Sequence, residues 1–67
     1  MIRIIVNGNE WEADPRSTIV DLLSKVKLSP MVCVVEKNGM IIKRERYKDE
    51  VVQPGDRIEI IRMMGGG

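Results

Sequence analysis

Asn-Gly occurs at Asn7-Gly8 and again at Asn38-Gly39, each time following a largely apolar run rich in β-branched residues. A two-residue type I′ hairpin turn needs positive φ at both central positions, and Asn followed by Gly meets that need best. The first dipeptide predicts that Ile2-Arg3-Ile4-Ile5-Val6 pairs antiparallel with a strand from about Glu10 to Ala13. The second predicts the same for Met31-Val32-Cys33-Val34-Val35 and Met40-Ile41-Ile42. Because the run from Met31 is continuously apolar, it is expected to be buried on both faces. A last strand, Arg57 to about Met63, alternates at its start and turns Ile58 and Ile60 inward. Gln53-Pro54-Gly55-Asp56 before it has turn chemistry, with proline presetting φ and glycine supplying a positive one.

Between the hairpins, Asp14-Pro15 breaks the first ladder and a helix is expected from Thr18. Thr18-Ile19-Val20-Asp21 forms a capping box with Asp in the Glu position. Ile19, Leu22, Leu23 and Val26 make one apolar stripe at spacings of three and four. Lys25 and Lys27 suit the negative end of the helix dipole, and Ser29-Pro30 stops continuation. A further short helical turn is expected around Tyr47. The order is then β-β-α-β-β-β. A single amphipathic stripe needs one apolar sheet face, so the fold class is α+β, a mixed sheet packed on one helix.

Composition limits what such a fold can do. Sixty-seven residues allow one domain, burying about 60% of its unfolded surface. With 43% hydrophobic but 3% aromatic residues, the core is aliphatic, and Trp11 is expected to cover its edge near the first hairpin. Eleven basic against ten acidic side chains exclude a general nucleic-acid or membrane-surface binder. Lys43, Arg44, Arg46 and Lys48 interleave with Glu45, Asp49 and Glu50 and read as a solvated loop face. Histidine is absent, removing the commonest general base and neutral metal ligand. No metal site is expected.

Cys33 is the lone cysteine and forms no disulfide or zinc framework. Set in an apolar run without a charged neighbour, it reads as buried and structural rather than reactive. Asp56 and Glu59 read as a turn former and a solvent-facing strand residue. No run approaches the ~20 apolar residues of a membrane span, and no signal-peptide pattern opens the chain, so a soluble, cytoplasmic protein is expected.

The chain closes with Gly65-Gly66-Gly67. Such a peptide is a frayed terminus, as chain ends commonly are, or a side-chain-free thread for a partner's narrow channel. Met63 and Met64 precede it with side chains on opposite faces, one able to complete the core and one to dock a partner through its adaptable thioether. Ile5 and Ile61 fall on the phase opposite to Ile58 and Ile60. They form an apolar binding patch on the helix-free face or pack under a loop.

The element order, the size, Val35-Glu36-Lys37-Asn38-Gly39, Tyr47, Pro54-Gly55-Asp56-Arg57-Ile58-Glu59-Ile60 and the glycine end together resemble the ThiS family. That family comprises sulfur carriers of thiamine biosynthesis with a ubiquitin-like β-grasp fold, and the resemblance covers essentially the whole chain. It implies that the first and last strands lie parallel at the sheet's centre, that residues 1–64 form the β-grasp domain, and that residues 65–67 form a flexible tail. It further implies that a ThiF-like activating enzyme uses ATP to adenylate the carboxylate of Gly67. Sulfur from a cysteine persulfide, as a cysteine desulfurase provides, then leaves a thiocarboxylate that thiazole synthase, ThiG, consumes. Gly65 and Gly66 thread the tail, with Ile5, Ile61, Met63 and Met64 against a partner. On this resemblance the chain itself is expected to bind no cofactor, to catalyse nothing and to be a monomer when free. Readings that share the tail are a MoaD-like small subunit of molybdopterin synthase and a ubiquitin-like modifier. Carriers supplying sulfur to transfer RNA or cysteine synthesis share it too.

Overall fold

Both Asn-Gly dipeptides adopt the conformation their hairpins require, with φ of 50° and 83° at Asn7 and Gly8 and of 53° and 85° at Asn38 and Gly39. The computed structural model describes residues 1–63. The first turn joins β1 (Ile2–Val6) to β2 (Asn9–Ala13), and the second joins β3 (Cys33–Lys37) to β4 (Met40–Ile42). Helix α1 (Ile19–Lys25) follows the first hairpin, and β5 (Arg57–Arg62) closes the described chain. The strands form one sheet in the order β2-β1-β5-β3-β4, with β5 parallel to β1 and antiparallel to β3. Thus the last strand is the central one.

The apolar stripe of α1 and the inward positions of the sheet meet in one cluster. It contains Ile19, Leu22 and Leu23 from the helix and Ile4, Val6, Cys33, Val35, Ile58 and Ile60 from the sheet. Each fully buried aliphatic side chain there stabilises the fold by about 1.5–3 kcal/mol. Val26, at the helix end, and Trp11 pack against the cluster half-buried, as their positions predict.

The capping box forms as read. Thr18 Oγ1 accepts from the Asp21 N–H at 3.3 Å, and Asp21 Oδ2 accepts from the Thr18 N–H at 2.9 Å. The next helix donors, Ile19 and Val20 N–H, find the carbonyls of Glu50 and Tyr47. The irregular segment before β5 therefore completes the helix N-terminus, whose first N–H groups have no partner within the helix. At the other end, Leu28 N–H reaches the Leu23 carbonyl and Lys27 N–H the Ser24 carbonyl, at 3.0 and 3.1 Å. That is a Schellman closure, and its left-handed position is filled by Lys27 at φ 59° instead of glycine.

The strand reading fails at Met31 and Val32. These residues lie in a 3₁₀ turn, Pro30–Val32, capped by Ser29, whose Oγ accepts from the Met31 N–H at 3.1 Å. Proline at the first position and a serine cap favour this turn over strand, so β3 starts only at Cys33. Burial on both faces is also not found: Cys33 and Val35 are buried, whereas Val34 and Glu36 on the other face are half-exposed. The helical turn near Tyr47 is present as a 3₁₀ segment, Arg44–Arg46. Tyr47 is buried, and its hydroxyl accepts from the Val35 N–H at 3.2 Å.

Candidate functional site

The strand that leads toward the glycines is held on both flanks almost to its end. On one side it pairs with β3 in register from Lys37↔Ile58 to Cys33↔Arg62, and beyond that the Met63 N–H donates to the Val32 carbonyl at 2.8 Å. On the other side, pairing with β1 stops at Val6↔Ile58. There the Asn7 side chain takes over: its Oδ1 accepts from the Ile60 N–H at 2.7 Å and its Nδ2 donates to the Ile60 carbonyl at 3.2 Å. A side-chain amide thus imitates one further residue of β1, while its own backbone turns the hairpin.

Around this strand end lies an exposed apolar patch on the helix-free face. Ile61, 48% exposed, stands opposite half-buried Val34, while Met63, 42% exposed, is bonded to exposed Val32. Glu36 and Glu59 face each other one step further along the ladder. Ile61 and Met63 are therefore both exposed at this strand end. Ile5 does not join them. It lies opposite Arg57 and Glu10, four residues before Ile61, roughly 13 Å away at about 3.3 Å per residue. The chain has turned at Asn7-Gly8 before β1 reaches the level of Ile61, so the expected Ile5–Ile61 patch does not exist. Met64, Gly65, Gly66 and Gly67 lie outside the described residues. Val34 and Val32 were not legible as patch members, because the register that brings them beside Ile61 and Met63 is set by distant contacts.

Elsewhere the chemistry is structural. Cys33 is buried and its Sγ donates to the Ser29 carbonyl at 3.5 Å. Burial pushes its thiol pKa up, although, contrary to the expectation of no charged neighbour, Arg44 pulls the other way. Lys37 Nζ lies 2.7 Å from Glu50 Oε2 and 3.6 Å from Asp56 Oδ2, tying β3 to the segment before β5. Asp56 also accepts from Asn38 Nδ2 and the Gln53 N–H, at 2.9 and 2.8 Å, and so organises the turn as its position predicted. The hydrogen bond from Lys37 holds the Glu50 carboxyl below its ordinary range, and the same bond raises the Lys37 ammonium. An open cleft of about 500 Å³ lined by Asn38, Gly39, Gly55 and Arg57 sits at the start of β5, away from the strand end. Among the described residues no group of three His, Cys, Asp or Glu side chains could hold a metal ion, and no helix is long and apolar enough to cross a membrane.

Comparison with known proteins bears on this strand end. The ThiS family pattern matches residues 3–67, including the three glycines. The chain is 39% identical over 64 residues to the sulfur carrier protein ThiS of Bacillus subtilis (strain 168), covering 92% of this chain and 96% of that one. It is 32% identical over 66 residues to a thiazole synthase of Magnetococcus marinus, covering 98% of this chain but spanning only 20% of that protein. The crystal structure of the thiamine biosynthesis protein ThiS from Geobacter metallireducens superposes with a TM-score of 0.81 at 32% identity. That match covers 98% of this chain and all of the other, and with the strand order above it establishes the ubiquitin-like β-grasp fold.

Proposed function

The chain belongs to the ThiS family, and from that premise we propose that it carries sulfur for thiamine biosynthesis on the carboxyl group of Gly67. The observation that carries this reading is the family match itself, which extends over the body and through Gly65-Gly66-Gly67. An α-carboxyl, with a reference pKa of about 3.3–3.7, is a stable anion and a poor electrophile at neutral pH. A ThiF-like activating enzyme holds it against ATP and forms the acyl-adenylate, a mixed anhydride with a good leaving group. Sulfur originating in a cysteine persulfide then replaces AMP, and thiazole synthase consumes the resulting thiocarboxylate.

In this cycle the chain is a co-substrate. It supplies no acid, base or nucleophile, binds no cofactor of its own and works as a cytoplasmic monomer between partners. The likeness to a fifth of a thiazole synthase chain supports that enzyme as one partner. Ile61 and Met63 contact the partners, Gly65 and Gly66 pass through the narrow entry, and Met64 lines the approach. The test is an intact-mass measurement after incubation with ATP, the activating enzyme and a sulfur donor. The mass is expected to rise by roughly 16 Da, one oxygen replaced by sulfur, with the change on Gly67. No shift under conditions that charge another carrier of the family would overturn the reading.

A further inference from the structure

Main-chain groups along β5 alternate between its two neighbours. Facing β1, the Asp56 and Ile58 carbonyls accept from the Ile5 and Asn7 N–H groups, both at 2.9 Å, and Ile60 meets the Asn7 amide. Toward β3, the Arg57 carbonyl accepts from the Asn38 N–H at 2.7 Å and the Met63 N–H is used by Val32. Arg62, next in the first series, turns its N–H and C=O to the side of β1. Yet β1 ends at Val6 and the hairpin turns at Asn7-Gly8, so among the described residues no strand stands there.

We propose that Arg62 offers its main-chain N–H and C=O, on the flank that β1 leaves open, to an extended strand of the protein that takes the C-terminal end of this chain. The outer edges of the sheet carry ordinary protection against such pairing: β2 has exposed Glu10 and Glu12, and β4 is three residues long. The open flank is guarded only by the charge of Arg62 itself, although it belongs to the central strand. Ile61 and Arg62 are already extended and fixed by β3, so an added strand need not order them, which lowers the entropic cost of docking. Strand addition takes its affinity from main-chain hydrogen bonds and its selectivity from alternate side chains, here Ile61 and Met63 beside the open flank. A second copy of this chain fits less well. Antiparallel self-pairing about Arg62 sets one guanidinium against the other, and like charges directly opposite are destabilising.

This rests on the sulfur-carrier reading, and the experiment separates the two. Arg62→Pro deletes the N–H on the open flank without removing a donor used by β3, a position where proline is tolerated in a sheet. Arg62→Ala removes the charge and keeps the donor. Binding to the activating enzyme and to thiazole synthase is titrated for both, with melting curves alongside. Arg62→Pro is expected to bind at least one of them about tenfold or more weakly than Arg62→Ala, since a buried acceptor on the partner loses its donor. Equal binding by the two variants, with the unaltered chain still charged, overturns the strand addition alone; a chain that is never charged overturns the carrier reading itself. If Arg62→Pro does not fold, amide exchange at Arg62 of the unaltered chain decides: slowing in the complex supports the proposal, and an unchanged rate overturns it. Slowing in the free chain with dimer formation also overturns it, in favour of a second copy.

Discussion

Asn7 and Ile60 exchange two hydrogen bonds across 53 positions of sequence, so one turn residue both shapes a hairpin and fastens the strand that leads toward the glycines. Replacing Asn7 separates these tasks. Asn7→Gly keeps the positive φ and loses both bonds, at a cost of about 1–2 kcal/mol. Asn7→Ala also loses left-handed tolerance and is expected to cost about 2–3 kcal/mol. Denaturant unfolding should rank them in that order; equal stabilities would show that the amide contributes only the turn.

Lys27 occupies the left-handed position of the Schellman closure, where glycine carries no Cβ penalty. Lys27→Gly is expected to raise stability by about 0.5–1 kcal/mol, the relief of strain exceeding the added chain entropy. A lower melting temperature in that variant would mean the lysine compensates through the helix dipole.

The Lys37–Glu50–Asp56 cluster fixes a pH window. Glu50 titrates lower in the folded state than unfolded, so its contribution is present above about pH 4.3 and is lost as pH falls through the lower folded value. Lys37 titrates higher when folded, so its contribution is complete below about pH 10.4 and is lost as pH rises through the higher folded value. Between those limits the cluster's share of the unfolding free energy should be flat. Lys37→Met leaves two carboxylates facing each other. It is expected to cost about 1–3 kcal/mol at neutral pH and to make the acid limb shallower. An unchanged acid limb would mean that the ammonium is not what holds Glu50 ionised.

Ile61 is exposed and belongs to the patch beside the strand end. Ile61→Lys should change stability by no more than about 0.5 kcal/mol while weakening partner binding about tenfold or more. Unchanged charging kinetics would remove the patch from the docking surface.

Deleting Gly66 and Gly67 should abolish charging and leave the melt cooperative, because chain ends add little to global stability. A melt that broadens or vanishes would assign the glycines a structural task.

The parts legible in the sequence are those decided by a few adjacent residues. Asn-Gly forced both hairpins, Thr18 and Asp21 capped the helix, and Pro54-Gly55 turned the chain into β5. What escaped depends on partners far along the chain. Val32 and Met31 have strand-like side chains, but a proline and a serine ahead of them impose a 3₁₀ turn. Ile5 and Ile61 share a face by parity, yet parity carries no register, and the parallel pairing with β1 holds them apart. Asn7 was readable as a turn residue only, since its second duty requires Ile60 to arrive beside it. Lys27 in the left-handed position runs against local preference, and the helix closure around it overrides that preference.

The central placement of β5 has a mechanical consequence. Traction applied at the carboxyl end runs along the strand axis and strains the ladders to β1 and β3 together, in shear. A terminal strand at the rim of a sheet would instead unzip bond by bond. A pull on the end of β5 therefore loads both ladders at once instead of peeling the domain apart.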